Sequence, residues 1–183
     1  MLPIGPLMIE HRLIERMIVL LAGELEDINK NAMVDVLFID EVIDFFKVYA
    51  DRCHHGKEED ILFSSLFKKK LSREHKEAVD SLIAGHVFGR KLIEELARAK
   101  EAYAKGENSA LANIKNVISE LSSFYPAHID TEDKHFFLPV MGYFSDKEKD
   151  DMLAEFREFD SKLIHERYDK ILSGLEAQAL SKR

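Results

Sequence analysis

Apolar residues recur every three or four positions along almost the whole chain, which is the spacing of one face of an α-helix. In the first segment that face carries Leu7, His11, Ile14, Ile18, Leu21 and Leu25. Similar stripes predict four long helices, over about 6–29, 35–67, 72–105 and 109–139. Strand-like alternation does not occur. The pattern therefore predicts an all-α protein.

Long helices joined by short connections pack as antiparallel neighbours, which predicts an up-down-up-down four-helix bundle over about residues 6–141. The residues Ser145, Asp146, Lys147 and Glu148 have the pattern of a capping box and predict a fifth helix. A sixth helix is expected from about Asp160 toward Leu175. We therefore expect one domain over residues 1–183, with a C-terminal helical extension over about 145–178.

Each of the four long helices carries a histidine in a motif of its own. The motifs read IEHRLIERM, CHHGKEEDILF, AGHVFGRKL and YPAHIDTEDKHFF, and they contain His11, His54, His86 and His128. In an antiparallel bundle, a shared site needs ligands early in helices one and three and late in helices two and four. The four histidines agree in height to within about two turns. Since imidazole and carboxylate bind iron and similar metals, the sequence predicts one metal site in the core.

Two of these histidines are followed one helical turn later by a glutamate. The pairs are His54 with Glu58 and His128 with Glu132, and each puts a nitrogen donor and a carboxylate on one helix face. A carboxylate has two oxygens and can bridge two ions, whereas an imidazole serves one. Buried carboxylates without counter-ions are costly, so the pattern favours a dinuclear site of divalent cations.

The histidine doublet in the second helix leaves one choice open. The face through His54 and Glu58 is more apolar than the face through His55 and Glu59, which also carries Asp51. His54 and Glu58 are therefore the favoured inward pair. His55 and Glu59 are the alternative if the helix is rotated or bulged.

The fourth helix leaves a second choice open. Its inward stripe contains Pro126, which has no N–H and must break the hydrogen-bond ladder locally. Beyond that proline, the position that faces the core can therefore shift by about one residue. Glu132 is the favoured ligand, and Asp133 is the alternative.

Composition narrows the range of partners. The chain has 26 Lys and Arg against 34 Asp and Glu, a net charge of −8, which argues against a nucleic-acid partner. The single cysteine, Cys53, cannot form an internal disulfide, which fits a reducing compartment. No basic segment precedes the first apolar residues, and no apolar run approaches the ~20 residues of a membrane helix. We expect a soluble cytoplasmic protein without membrane contact.

Together, the stretches EHRLIERM, HHGKEEDILF, GHVFGR and YPAHIDTEDKHFFLP resemble the hemerythrin-like, or HHE cation-binding, family over roughly residues 7–140. The resemblance implies a four-helix bundle around a non-haem di-iron centre that two carboxylates bridge. Carried onto the matching positions, it implies four terminal ligands and two bridges. The terminal ligands would be His11, His54, His86 and His128, and the bridges Glu58 and Glu132. Two iron ions are the expected cofactor, with another divalent metal as the alternative.

The chain departs from the family at one position. Oxygen-carrying hemerythrins have a second histidine one turn after the helix-three histidine, and Arg90 stands there in this chain. A guanidinium stays protonated and cannot bind a metal. We therefore expect one iron to lack a protein nitrogen, so that the reduced protein reacts with oxygen, nitric oxide or peroxide. Glu15 and His135 are alternative sources of a further ligand.

These features support three functional hypotheses. The first is a di-iron binding protein that takes a small diatomic ligand or peroxide, or handles iron, and the second is an enzyme that turns over the same small molecules. The third is a ferritin-like carboxylate protein, which needs Glu-x-x-His twice. Here Glu132 and His135 form one such motif, and Asp51 and His54 form an imperfect second. The excess of histidine favours the hemerythrin-like interpretation.

Overall fold

A computed structural model describes residues 2–107, 109–161 and 164–181, and in these ranges the chain forms helices and no strand. α1 is Ile4–Asn31 and α3 is Arg73–Ala104. α5 is Asp146–Asp160 and α6 is Ile164–Ser181. The prediction of an all-α protein is confirmed.

The two remaining helices, α2 and α4, contain π-helical segments. α2 covers residues 36–67 and consists of Val36–Asp44, the π segments Phe45–His55 and Lys57–Phe63, and Ser64–Phe67. α4 covers residues 110–140 and consists of Ala110–Thr131, the π segment Glu132–Phe136 and Phe137–Val140. A π turn is wider than an α turn and is often found at functional sites.

The ends of the helices follow from local side chains. Asp35 and Ser72 accept hydrogen bonds from the N–H groups of Phe38 and His75 at the starts of α2 and α3. Ser145 and Glu148 form the predicted capping box at the start of α5.

The first four helices form the bundle. α1 packs against α2 and α4, and α3 packs against the same two helices from the other side. Short connections join consecutive helices, and these reverse the chain direction each time.

The apolar core of the bundle is divided into two clusters along its axis, and a polar layer separates them. Each of the four helices contributes to both clusters. The residues that flank the layer are Leu7 and Ile14 in α1, Ala50 and Ile61 in α2, Leu82 and Leu92 in α3, and Tyr125 and Phe136 in α4. The predicted histidines lie between these pairs. The bundle therefore presents its polar side chains at one height, as the spacing predicted.

The two C-terminal helices pack on opposite clusters. α5 inserts Met152 and Phe156 into one cluster, and α6 inserts Tyr168 and Leu172 into the other. Arg16 of α1 binds the α6 carboxylates Asp169 and Glu176 at 2.8 and 2.7 Å. Among the described helices, none is long and apolar enough to cross a membrane.

Candidate metal centre

Seven side chains from α1–α4 meet in the polar layer, and each is at most 9% exposed. Six are the predicted residues, and the seventh is His55. Their candidate ligand atoms form two groups, within each of which all atoms lie within 4.8 Å of one another. One group is His11, His54, Glu58 and Glu132, and the other is His55, His86 and His128.

Both glutamates lie between the two groups. Glu58 is 3.6 Å from Nε2 of His54 on one side and 3.3 Å from Nε2 of His86 on the other. Glu132 is 3.2 Å from Nε2 of His11 and 3.3 Å from Nε2 of His128. Each carboxylate is thus placed to contact an ion in either group.

The histidine doublet does not divide into an inward and an outward residue, as the helical-face argument expected. Both His54 and His55 are buried, at the end of the π segment Phe45–His55. The ring of His55 stacks on that of His86, with centroids 3.9 Å apart. Because the π turn is wider, consecutive residues are both directed into the bundle. Glu58 is the buried glutamate of this helix, and Glu59 lies outside the cluster.

In α4, the inward carboxylate belongs to Glu132. The helix continues through Pro126, and its hydrogen-bonding pattern changes at Glu132 instead. Asp133 turns toward α1, where it accepts a 2.7 Å hydrogen bond from Nδ1 of His11.

Three of the histidines donate Nδ1–H to a carboxylate outside the cluster. Besides the His11–Asp133 bond, His54 donates to Glu10 at 2.8 Å and His86 donates to Glu59 at 2.7 Å. Such a bond fixes the ring orientation and leaves Nε2 free as a ligand. The outer carboxylates therefore direct the three Nε2 atoms toward Glu58 and Glu132.

A basic residue stands behind two of these carboxylates on the bundle surface. Arg12 contacts Asp133, and Arg90 donates to Glu59 at 2.6 Å. Arg90 also donates to Asp51 at 2.6 Å, and Asp51 lies 3.5 Å from Nδ1 of His55. Arg90, one turn after His86, thus holds the carboxylates next to His86 and His55.

His128 is held by packing. Its ring stacks on Phe124 at 5.3 Å, and it lies directly against Gly85 of α3. A Cβ atom at Gly85 would be 2.9 Å from Nδ1 of His128. The glycine one residue before His86 therefore makes room for the imidazole of the neighbouring helix.

The alternative ligands from the sequence lie outside the cluster. Glu15 pairs with Arg12, and His135 is exposed. Asp51, the acidic residue of the imperfect ferritin-like motif, binds Arg90. Neither Glu-x-x-His motif therefore directs both members inward, which argues against the ferritin-like interpretation.

The cluster contains most of the unsatisfied polar atoms of the described core. Nine buried side-chain atoms lack a hydrogen bond, and eight belong to His11, His55, Glu58, His86, His128 and Glu132. Buried polar atoms are rarely left without a partner, and those that are call for an explanation. Apart from Nδ1 of His55, which faces Asp51, these imidazole nitrogen and carboxylate oxygen atoms are directed at one another, so the residues fit a group of metal ions.

The electrostatics of the cluster show the same need for positive charge. Burial lowers the pKa of His11, but hydrogen bonds to Asp133 and Glu132 outweigh it and raise the pKa to about 10. Burial likewise lowers the pKa of His86, and its three carboxylate neighbours raise it to about 11. Burial and the positive charge of His86 hold the pKa of His55 well below its usual value. The carboxylates of the cluster therefore favour positive charge at His11 and His86, which is the charge that a bound metal ion would supply.

Comparison with known families agrees with this geometry. The family model described as the hemerythrin HHE cation binding domain matches residues 2–140. The chain belongs to the hemerythrin HHE family. A search of curated proteins and a search of solved structures found no match. The matched hemerythrin HHE region covers the four-helix bundle and ends before α5.

From the sequence, His55 was an alternative to His54 and not a second inward histidine beside it, and the carboxylates behind the imidazoles were not predicted to support them. The doublet itself could have indicated that both His54 and His55 face inward, because a glutamate follows each of them one turn later. The absence of a ligand at Arg90 was a second signal. Glu10, Glu59 and Asp133 each adjoin a cluster residue in sequence, and this adjacency does not distinguish them from surface carboxylates.

The doublet gives a first prediction. Because His54 and His55 belong to different groups, His54→Ala and His55→Ala should each lose about one of two bound metal ions. His135→Ala, at an exposed position, should keep both. Metal analysis of the three purified variants checks this, and a His55→Ala protein with full metal content would contradict the inward placement of both histidines.

Gly85 gives a second prediction. In Gly85→Ala the new methyl group would displace the ring of His128, so the variant should lose metal from the group of His55, His86 and His128. Gly23→Ala is the matched control, because it lies inside α1 with no atom within 4 Å of the added Cβ. Both substitutions gain about 1 kcal/mol of helix propensity. Equal metal content in the two variants would show that the contact with His128 is unimportant.

Proposed function

We propose that this protein is a non-haem di-iron protein that binds a small diatomic ligand, dioxygen foremost, at a centre of five histidines and two glutamates. The observation that carries the proposal is the convergence of these seven buried side chains in two groups that share Glu58 and Glu132. Iron suits a mixed set of imidazole and carboxylate donors.

The two groups offer unequal numbers of ligands. If both glutamates bridge, the group of His55, His86 and His128 supplies five protein ligands, and the group of His11 and His54 supplies four. An open position is therefore expected beside His11 and His54. When bound, a ferrous pair supplies electrons to a small ligand that enters such a position.

The protein surroundings select small ligands. His11 is fully buried, and Phe137 stacks on its ring at 5.6 Å. The apolar clusters on both sides of the layer exclude water from the same region. An organic substrate would need a cavity at the cluster, whereas a diatomic molecule needs the volume of about one water. This burial favours a diatomic ligand over a larger substrate.

The fifth imidazole changes the expected chemistry. Arg90 led to the expectation that one iron lacks a nitrogen ligand and that the reduced protein reacts with its ligand. The structure brings His55 to the group that contains His86, so the total of five histidines is restored from α2. We therefore favour reversible binding over turnover. An enzyme that consumes oxygen, nitric oxide or peroxide is the alternative.

Stoichiometry is the first test of this proposal. Metal-free protein should take up two equivalents of Fe²⁺ under anaerobic conditions, because each group offers a separate set of ligands. The double variant His54→Ala/His128→Ala, which removes one imidazole from each group, serves as the control and should bind less. Saturation of the unmodified protein at one equivalent, or no uptake, would overturn the dinuclear proposal.

Reversibility is the second test. The diferrous protein should change its optical spectrum when dioxygen is added, and removal of the gas under vacuum should restore the ferrous spectrum over repeated cycles. The expected reversibility follows from the five imidazoles of the cluster and from its burial between two apolar clusters. Permanent oxidation in the first cycle would instead support the enzyme alternative. Identical spectra before and after oxygen would count against both.

A further inference from the structure

A buried lysine lies next to the candidate metal centre and plays no part in the ligand set. Lys57 follows the histidine doublet in α2, and its side chain is 0% exposed. Its ammonium group contacts Glu10 of α1, which is also buried, and lies 2.6 Å from Asp160, the last residue of α5. A buried ammonium is costly unless it is paired, so both carboxylates stabilise Lys57 in this position.

The same contacts lead to a candidate ligand. One oxygen of Glu10 accepts the hydrogen bond from Lys57, and the other accepts the 2.8 Å bond from Nδ1 of His54. Asp160, Lys57, Glu10 and His54 therefore form a continuous chain of charged hydrogen bonds. It runs from the C-terminal extension to the group that contains His11 and His54.

The other imidazoles show how this chain differs. Asp133 behind His11 is held by Arg12, and Glu59 behind His86 is held by Arg90; the two arginines are 55% and 34% exposed. Water can solvate a partly exposed guanidinium, and the second carboxylates beside these arginines, Glu15 and Asp51, belong to helices of the bundle. Lys57 has no comparable exposure and is paired with Asp160 as well as Glu10. The position of Glu10 therefore depends on a residue outside the four-helix bundle.

The donors around Lys57 resemble a cation site, but the lysine already fills it. Atoms of Glu10, Cys53 and Asp160 lie within 4.8 Å of one another, and Sγ of Cys53 donates to Asp160 at 3.5 Å. Burial raises the pKa of Cys53 to about 12, so the group is a thiol and supplies no charge. The ammonium of Lys57 neutralises the two carboxylates, and a further metal ion would have to displace it.

From these contacts we infer that Asp160 and Lys57 are positioning residues that hold Glu10 and, through it, the imidazole of His54 in the metal centre. Helix α5, which lies beyond the region matched by the family, is then part of the metal site. The inference rests on the proposed function, because His54 is taken as a ligand. By linkage, metal at the group of His54 and the contact between Asp160 and Lys57 stabilise each other.

The test measures the release of Co²⁺ from the full-length protein to EDTA. The visible absorption of the bound ion reports how much metal remains at each time. Unmodified protein should hold two equivalents and lose them in two phases, and the His54→Ala variant identifies the phase that belongs to the group of His54. In Asp160→Ala this phase should be faster by roughly tenfold, the usual cost of losing a residue that orients a ligand. The other phase should be unchanged.

A control at the opposite end of α5 distinguishes two effects of Asp160: packing of α5 on the bundle, and the positioning of Glu10 through Lys57. Glu148 forms the capping box with Ser145 and pairs with Lys69, so Glu148→Ala weakens docking without touching Asp160. Release from Glu148→Ala should match the unmodified protein. Equal acceleration in both variants would mean that Asp160 acts through docking alone, and the inference would be wrong.

A double-mutant cycle tests the route through Glu10. Glu10→Gln alone should accelerate the phase of His54, and adding Asp160→Ala to Glu10→Gln should change it little further, because both lie on one chain of contacts. Additive effects would overturn the route. If Asp160→Ala releases Co²⁺ at the rate of the unmodified protein, the inference is wrong and the proposed metal centre stands. If the unmodified protein does not bind Co²⁺, the proposed function is wrong as well.

Discussion

The burial of Glu58 and Glu132 in the middle of the bundle is the constraint on which the rest of the site depends. Two carboxylates away from water require positive charge or hydrogen-bond donors close by. Imidazoles from all four helices surround them, and carboxylate neighbours outweigh burial and raise the pKa of His11 and His86. The division of the apolar core into two clusters follows from the same layer, because polar side chains from all four helices lie between the clusters.

The elements of this fold were predictable because apolar periodicity and capping residues are local properties of the sequence. The height of His11, His54, His86 and His128 was predictable for the same reason, since it depends on helix lengths and short connections. The direction of His55 was not. It depends on the π segment Phe45–His55, and no residue pattern used in the sequence analysis distinguishes a π turn from an α turn. In α4, Pro126 drew attention to a change of phase that the structure places at Glu132.

Arg90 and His55 are best understood together. An arginine one turn after His86 cannot bind a metal, but its planar group can hold two carboxylates at once. It does so with Glu59 and Asp51, and these lie beside His86 and His55. Arg90 thus holds carboxylates that lie beside two imidazoles of the cluster. The cluster takes one imidazole from each of α1, α3 and α4 and two from α2, where the wider turn directs His55 inward.

The three supported imidazoles also differ in what lies behind them. Arg12 and Arg90 belong to the same helix bundle as the carboxylates they hold, so the geometry of His11 and His86 is set within the four helices. His54 is held through Glu10 and Lys57, and the ammonium of Lys57 reaches α5. His54 belongs to the group with two imidazoles, where the proposed function expects an open position for a small molecule. A change at that position would therefore be transmitted most directly to the C-terminal extension, because the imidazole, the two carboxylates and the lysine form one continuous set of charged contacts.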